Sequence, residues 1–121
     1  MAQILVIDDD HTIRTTIQSV LTRAGHEVET TPYLATAIGE ALLGKYDLIT
    51  LDLSMPGVSG EEIANLFNFR ELDTPVLVIS ANLSNSVTKE LTEIGIKHFL
   101  PKPFEFSVLV EAVTKAISND S

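Results

Sequence analysis

The chain has 121 residues, of which 45% are hydrophobic and 6% aromatic, so it carries enough aliphatic material for one compact core. Seventeen Asp and Glu residues against eight Lys and Arg residues give a formal net charge of −9, which argues against direct contact with nucleic acid or an anionic membrane. The absence of cysteine excludes disulfides, thiolate metal sites and thiol catalysis.

The same features predict one domain spanning residues 1–121. The amino-terminal residues lack a basic segment and a small-residue cleavage site, so they do not look like a signal peptide. No apolar run approaches the roughly 20 residues that a membrane helix needs. We therefore expect a cytoplasmic protein.

Five short runs of apolar residues predict β-strands. Ile4–Ile7, Leu48–Leu51 and Val76–Ile79 are nearly continuous in apolar character, which is typical of strands covered on both faces. Glu27–Thr31 alternates polar and apolar residues, and Lys97–Leu100 ends at a proline. These two runs are therefore predicted to form the edge strands.

Between the strands, apolar residues recur with helical spacing and predict five helices. In chain order their apolar faces are Ile13, Ile17, Val20, Leu21 and Ala24; Leu34, Ile38, Ala41 and Leu42; Ile63, Leu66 and Phe67; Val87, Leu91 and Ile94; and Val108, Leu109, Ala112, Val113, Ala116 and Ile117. Gly25 and Gly95 follow two of these helices, where a left-handed residue commonly ends a helix. Regular alternation of strand and helix predicts an α/β fold with a doubly wound parallel sheet, and the apolar strands favour the flavodoxin-like order 2-1-3-4-5.

Polar residues follow the predicted strands at the points where the strands end. They are Asp8, Asp9 and Asp10 after the first strand, Asp52 after the third, Ser80 at the end of the fourth and Lys102 after the fifth. In this fold the ligand crevice lies beyond the carboxyl ends of the strands, between the first and third. One of the three acids is expected to cap the next helix, and Asp10 is expected to be that cap or a solvated neighbour. The other acids repel one another unless a cation neutralises them, and carboxylates without His or Cys partners favour Mg²⁺.

Several other site types do not match the sequence. It contains no phosphate-binding Gly-x-x-x-x-Gly-Lys-Ser/Thr loop, and no Gly-x-Gly-x-x-Gly follows the first strand. The three acids after the first strand would repel the phosphate of a flavin mononucleotide. A metal-dependent phosphatase of the dehalogenase type needs a second acid two residues after Asp52, where this chain has Ser54.

Taken together, the strand-end motifs match a known family. They are Ile7-Asp8-Asp9-Asp10, Leu51-Asp52-Leu53-Ser54-Met55-Pro56-Gly57 with Gly60, Ser80-Ala81, and Phe99-Leu100-Pro101-Lys102-Pro103-Phe104. With these four motifs in order, the chain resembles, over essentially its whole length, the receiver domain of two-component response regulators, including chemotaxis regulators.

The resemblance implies a phosphoacceptor and a metal site. Asp52 would accept a phosphoryl group from a partner's phosphohistidine. Mg²⁺ would be bound by Asp9, by Asp52 and by the backbone carbonyl of Ser54, with Asp8 acting through a bound water. Phosphoryl transfer depends on positioning and charge neutralisation more than on covalent assistance, so these residues suit the reaction.

The resemblance also implies a phosphate-binding set and a switch. Lys102, Ser80 and Ala81 would bind the phosphate, and the peptide bond between Lys102 and Pro103 would be cis. Ser80 and Phe99 would move together as the switch. From its position alone, Phe99 is predicted to pack on the last helix.

The predicted function is therefore a phospho-switch rather than an enzyme acting on other molecules. A sensor histidine kinase or histidine phosphotransfer protein would phosphorylate it, and the domain would dephosphorylate itself. The surface formed by helix 4, strand 5 and helix 5 would then control a downstream effector protein or domain, or form a dimer. Two alternatives are a receiver-like module that only binds a partner and a Mg²⁺-dependent phosphohydrolase. The sequence also leaves open whether the chain acts alone or as a segment of a longer regulator.

Overall fold

Five parallel strands form one sheet in the computed structural model, which describes residues 2–33, 39, 44–53, 74–81 and 83–119. The strands are β1 (Gln3–Ile7), β2 (Glu27–Thr31), β3 (Leu48–Leu51), β4 (Val76–Ser80) and β5 (His98–Pro101). Their order across the sheet is β2-β1-β3-β4-β5. The predicted fold class and strand order are confirmed, and no predicted strand boundary is wrong by more than one residue.

The described residues form three helices that flank this sheet. They are α1 (His11–Arg23), α2 (Asn85–Glu93) and α3 (Phe106–Asn119). The helices α2 and α3 correspond to the fourth and fifth predicted helices. The apolar faces predicted for the second and third helices, which begin at Leu34 and Ile63, lie outside the described residues.

Local sequence signals explain where these helices begin and end. The Asp10 side chain accepts a hydrogen bond from the backbone N–H of Ile13 at 3.1 Å, so the predicted cap of α1 is confirmed. Ser84 caps α2 in the same way by accepting from Val87. Beyond the helix ends, Gly25 and Gly95 have φ angles of +98° and +102°, which cost a glycine little because it lacks a Cβ.

Alternate strand residues pack on opposite faces of the sheet. On one face Ile4 and Val6 of β1 join a buried cluster with Leu109 and Val113 of α3. On the other face Leu5, Ile7, Ile49 and Leu51 join Leu91 of α2. Each fully buried aliphatic side chain of this kind contributes about 1.5–3 kcal/mol. The strand ends that carry the acids are therefore fixed from both faces.

Two residues assigned to apolar helix faces are exposed instead. Val108 of α3 is 43% exposed, because it lies about 100° around the helix from the fully buried Leu109. Ala24 is exposed because it is the residue that ends α1 rather than a residue of its inner face.

The predicted packing of Phe99 on the last helix is wrong. Phe99 is half-buried against the cluster that contains Leu91 of α2. Its neighbour Leu100 belongs to the cluster that contains Leu109 of α3. Successive side chains of a strand point to opposite faces, so Leu100 occupies the α3 side and directs Phe99 to the α2 side.

Among the described residues, no helix combines the length and the apolar character needed to cross a membrane.

Candidate functional site

The three charged residues at the centre of the carboxyl edge are held by the sheet itself. Asp8, Asp52 and Lys102 each follow the last residue of a strand. Each donates its backbone N–H to the neighbouring strand, to the carbonyls of Thr31, Ile7 and Ser80 at 3.3, 3.1 and 3.0 Å. Because these bonds continue the sheet ladder past the strand ends, the side chains of the three residues start from fixed positions.

Three carboxylates converge at this edge. One carboxylate oxygen from each of Asp8, Asp9 and Asp52 lies within 4.8 Å of the others. Asp8 and Asp52 are 1% and 3% exposed, whereas Asp9 is exposed. This all-oxygen set with one side open to water fits Mg²⁺, which prefers carboxylates and retains several waters.

Lys102 contacts both buried carboxylates. Its Nζ lies 3.0 Å from Oδ2 of Asp8 and 3.3 Å from Oδ2 of Asp52, and its side chain is 13% exposed. One ammonium cannot neutralise three carboxylates, so two negative charges remain when all four groups are ionised. That surplus charge is what a bound divalent cation would balance.

The pKa of the buried Asp8 carboxyl reflects how unfavourable its negative charge is at this site. Burial raises its pKa above the ordinary value, and the nearby charge of Asp52 raises it further. Hydrogen bonds from the backbone N–H of Asp10 and from Lys102 lower the pKa and offset part of this rise. The ionised form of Asp8 is therefore held in place at a cost in free energy.

The residues predicted to bind phosphate and to switch lie beside this cluster. Ser80 is fully buried at the end of β4, and Ala81 after it is exposed. The peptide bond between Lys102 and Pro103 is cis, as the resemblance implies. Phe99 lies one strand across from Ser80, on β5, on the side of the sheet that carries α2. Ser54, the predicted carbonyl ligand, lies outside the described residues.

A cavity of about 320 Å³ opens next to Lys102 and Ala81. Its remaining lining is mostly apolar and comes from the start of α1 and the segment that leads into α3, namely Ile13, Thr16, Pro103, Phe104 and Phe106. Lys102 therefore borders a mostly apolar recess, where its charge is screened less than on an open surface.

Sequence reasoning missed one residue that contacts the acidic segment. The Nη1 of Arg14 donates to the backbone carbonyl of Asp8 at 2.8 Å. The available sequence signal is the position of this arginine, four residues after three consecutive aspartates, which is close enough for its long side chain to reach the acidic segment.

The fold and this edge together define a class of protein: a doubly wound α/β domain whose acidic, lysine-bridged crevice lies at the switch point between β1 and β3. The sequence matches the family described as "Response regulator receiver domain" over residues 4–114. The chain belongs to this family, so the predicted resemblance is confirmed. It is a signalling domain of a two-component response regulator.

Similar proteins agree with this assignment. The DNA-binding transcriptional regulator NtrC of Azospirillum brasilense is 35% identical over 120 residues, which cover 99% of this chain and 25% of NtrC. The transcriptional regulatory protein PrrA of Mycobacterium tuberculosis is 32% identical over 111 residues, which cover 92% of this chain and 48% of PrrA. The chain thus spans between a quarter and half of the length of these relatives.

Solved structures show the same fold. The chemotaxis protein CheY4 of Vibrio cholerae superposes with a TM-score of 0.85 at 28% identity, covering 96% of this chain and 98% of CheY4. The receiver domain of a Francisella response regulator superposes with a TM-score of 0.88 at 25% identity over the full length of both chains.

Proposed function

We propose that this domain is a phosphoacceptor switch in which Asp52 receives a phosphoryl group from a partner's phosphohistidine. The observation that carries the proposal is the buried Asp52 carboxylate, which lies 3.3 Å from the Lys102 ammonium and shares its edge with Asp8 and Asp9. Nothing in the packing of the sheet requires three acids there. Phosphoryl transfer does require this kind of charge balance.

The positions of the side chains support the following transfer step. A carboxylate oxygen of Asp52 attacks the phosphorus in line, and the P–N bond to the donor histidine breaks with its electron pair returning to the imidazole. Lys102 then shifts its ammonium from the Asp52 oxygen to a phosphate oxygen, which is a short move for a flexible point charge. Ser80 donates its hydroxyl to a second phosphate oxygen, and Ala81 completes the phosphate-binding set.

The carboxylates of Asp9 and Asp52 would bind Mg²⁺ directly, and Asp8 would contact it through water. Ser54 remains the predicted carbonyl ligand. Bound Mg²⁺ supplies positive charge that lets the Asp52 oxygen and the incoming phosphoryl oxygens approach one another. Among these residues, the exposure of Asp9 provides the side from which the hydrated ion and the donor enter.

Phosphorylation would be transmitted by Ser80 and Phe99. As Ser80 moves toward the phosphate, Phe99 turns inward and changes the surface formed by α2, β5 and α3. The α2 helix suits this role because Leu91 is the one buried residue of its span, Asn85–Glu93. Val87 within the helix and Ile94, which ends it, are partly buried. A helix with so little buried area shifts at a small free-energy cost.

The family assignment also guides the choice of partners. The donor would be a sensor histidine kinase or a histidine phosphotransfer protein, and the receiver of the signal would be an effector protein or an attached output domain. The relatives are longer transcriptional regulators, which favours an output domain in the same chain. A dimer through the α2–β5–α3 surface and a cytoplasmic location remain predictions, as does a single receiver domain over residues 1–121.

A small phosphodonor tests the proposal. The domain is incubated with acetyl phosphate and Mg²⁺, and its intact mass is compared with that of Asp52→Asn. We expect the wild type to gain one phosphoryl group and Asp52→Asn to gain none. An unchanged wild-type mass, or an equal gain in the variant, would refute the proposal and leave a module that only binds a partner. Sustained release of phosphate from a phosphate ester would instead favour a phosphohydrolase.

A further inference from the structure

Arg14 joins the acidic segment after β1 to the first turn of α1. It is half-buried, and its guanidinium uses two nitrogen atoms. Nη1 donates to the backbone carbonyl of Asp8 at 2.8 Å, and Nη2 lies 3.3 Å from Nδ1 of His11. A guanidinium has no acceptor atom, so the His11 Nδ1 accepts in this contact. One arm of the arginine therefore contacts a backbone carbonyl and the other an imidazole nitrogen.

The carbonyl that Arg14 holds belongs to the peptide unit between Asp8 and Asp9. Peptide units are planar, so fixing this carbonyl fixes the rotation of the plane that links the two acids. That rotation sets the direction of the Asp9 side chain relative to Asp8. Other bonds hold the Asp8 carboxylate itself, because the Asp10 N–H donates to its Oδ1 and Lys102 donates to its Oδ2. What the peptide plane held by Arg14 sets is therefore the direction of Asp9 relative to this fixed carboxylate.

The placement of the charge supports a specific role for Arg14. Arg14 is the fourth residue of α1, one turn beyond the Asp10 cap, and its guanidinium reaches back over the first turn to the Asp8 carbonyl and to His11. What the arginine adds is the forked pair of donors, which fits a fixed carbonyl on one side and an imidazole on the other.

We propose that Arg14 is a positioning residue of the cation site: by holding the Asp8 carbonyl it sets the relative directions of the Asp8 and Asp9 carboxylates. The inference rests on the proposed function in that both use the same acids. It goes beyond that function because Arg14 itself touches neither the phosphoryl group nor the cation. Residues that orient metal ligands in this way commonly change metal affinity by about 10-fold to 100-fold when removed.

Isothermal titration with MgCl₂, without any phosphodonor, tests the inference. We compare the wild type with Arg14→Met, Arg14→Lys and Arg23→Met. The last variant is the matched control, because it removes the same charge from the exposed end of the same helix. We expect Arg14→Met to weaken Mg²⁺ binding about tenfold and Arg23→Met to leave it unchanged. Arg14→Lys keeps the charge but cannot form both contacts, so we expect a loss of about threefold.

The sign of the effect separates positioning from simple electrostatics. If Arg14 acted only through its charge, Arg14→Met would bind Mg²⁺ more tightly, since a nearby cation would be gone. Tighter or unchanged binding by Arg14→Met therefore overturns the inference. If Arg14→Met does not fold, Arg14→Lys decides, and wild-type affinity in that variant overturns it.

The titration also distinguishes this inference from the proposed function. A wild type that binds Mg²⁺ but gains no phosphoryl group at Asp52 refutes the function and leaves the role of Arg14 to be read from the affinities. A wild type that is phosphorylated at Asp52, with an Arg14→Met variant of equal Mg²⁺ affinity, refutes the inference alone. A wild type that takes up no Mg²⁺ contradicts both.

Discussion

The two ends of the same sheet treat acidic residues differently. At the amino end, Asp47 and Glu27 are exposed. Asp47 accepts a hydrogen bond from the backbone N–H of Gln3 at 2.8 Å, and Glu27 accepts one from the side-chain amide of Gln3 at 2.9 Å. At the carboxyl end, Asp8 and Asp52 are buried and share one ammonium with each other. The fold can therefore place acids next to its strands without burying them or bringing them close to one another.

The comparison indicates that the crowding at the carboxyl end serves the site and not the fold. A buried ion pair is often no more stable than well-packed neutral residues, and an extra buried carboxylate makes the balance worse. The raised pKa of Asp8 is consistent with this cost. Retaining the acids is explained if a divalent cation and a phosphoryl group use them.

The largest effect is expected for Lys102→Met. Removing the ammonium leaves two buried carboxylates without their shared counter-charge, so we expect a loss of about 3 kcal/mol in the free energy of unfolding. Urea denaturation in the presence of a chelator measures it. Lys115→Met, which removes an exposed lysine from α3, is the control and should change stability by less than about 0.5 kcal/mol.

The same Lys102 variant should bind Mg²⁺ more tightly than the wild type, because the ammonium and the metal ion neutralise the same carboxylates. Equal stability losses in Lys102→Met and Lys115→Met would show that the buried acids at the carboxyl end do not depend on the Lys102 charge, and would contradict the account.

A smaller effect of opposite sign is expected for Asp8→Asn. Asparagine keeps an acceptor near the Asp10 N–H but removes a buried charge, so without divalent cations we expect a gain of about 1 kcal/mol. Asp47→Asn at the opposite end removes an exposed, hydrogen-bonded carboxylate and should give no gain. Urea denaturation of both variants checks the difference, and a loss of stability in Asp8→Asn would contradict the account.

Acid should reduce the advantage of Asp8→Asn. Burial raises the pKa of Asp8 in the folded state above its ordinary value of 3.8, so the folded protein takes up this proton at a higher pH than the unfolded chain does. As the pH falls through the raised pKa, the proton removes the same charge that the substitution removes. The stability difference between the variant and the wild type should then shrink.

The smallest effect is expected at the amino end, from His26. Its Nδ1 accepts the backbone N–H of Ala2 at 3.2 Å, and burial, with the positive amino terminus, lowers its pKa below the ordinary value of 6.5. The unfolded chain therefore takes up this proton first. The contribution of His26 is complete above about pH 6.5 and is lost as the pH falls from there through the folded pKa.

His26→Gln retains an acceptor for Ala2 but does not titrate. Melting temperatures of the wild type and the variant, measured from about pH 8 to about pH 5, should diverge on the acidic side, with the wild type losing more. Parallel curves would show that His26 contributes no pH dependence. The opposite responses to acid that we expect from Asp8 and His26 would then be reduced to that of Asp8 alone.

Sequence reasoning reached the fold because its signals were local. Apolar runs and alternation fixed the strands to within one residue, and the acids at the strand ends identified the edge where Asp8, Asp9 and Asp52 meet. The side of the sheet that a given side chain faces is harder to predict. The prediction for Phe99 is wrong because the sequence pattern does not show which side of the sheet each residue of an edge strand faces.

Arg14 was missed for a related reason. Its partner is a backbone carbonyl, so the pattern of side chains indicates a cation close to the acids but not the atom that it contacts. Helical spacing groups Val108 with the apolar face of the last helix, but it lies one residue of rotation from the buried Leu109, which is enough to expose it. The residue types thus indicate the chemistry of the site, whereas the contacts that orient its side chains are seen only in the structure.

The most direct test of the central claim locates the phosphoryl group on the chain. After treatment with acetyl phosphate, borohydride reduces an acyl phosphate to an alcohol and leaves homoserine in place of the modified aspartate, which peptide mass spectrometry then identifies. We predict homoserine at position 52 alone, and only in samples that contained Mg²⁺. Homoserine at Asp8 or Asp9, or none at position 52, would contradict the account.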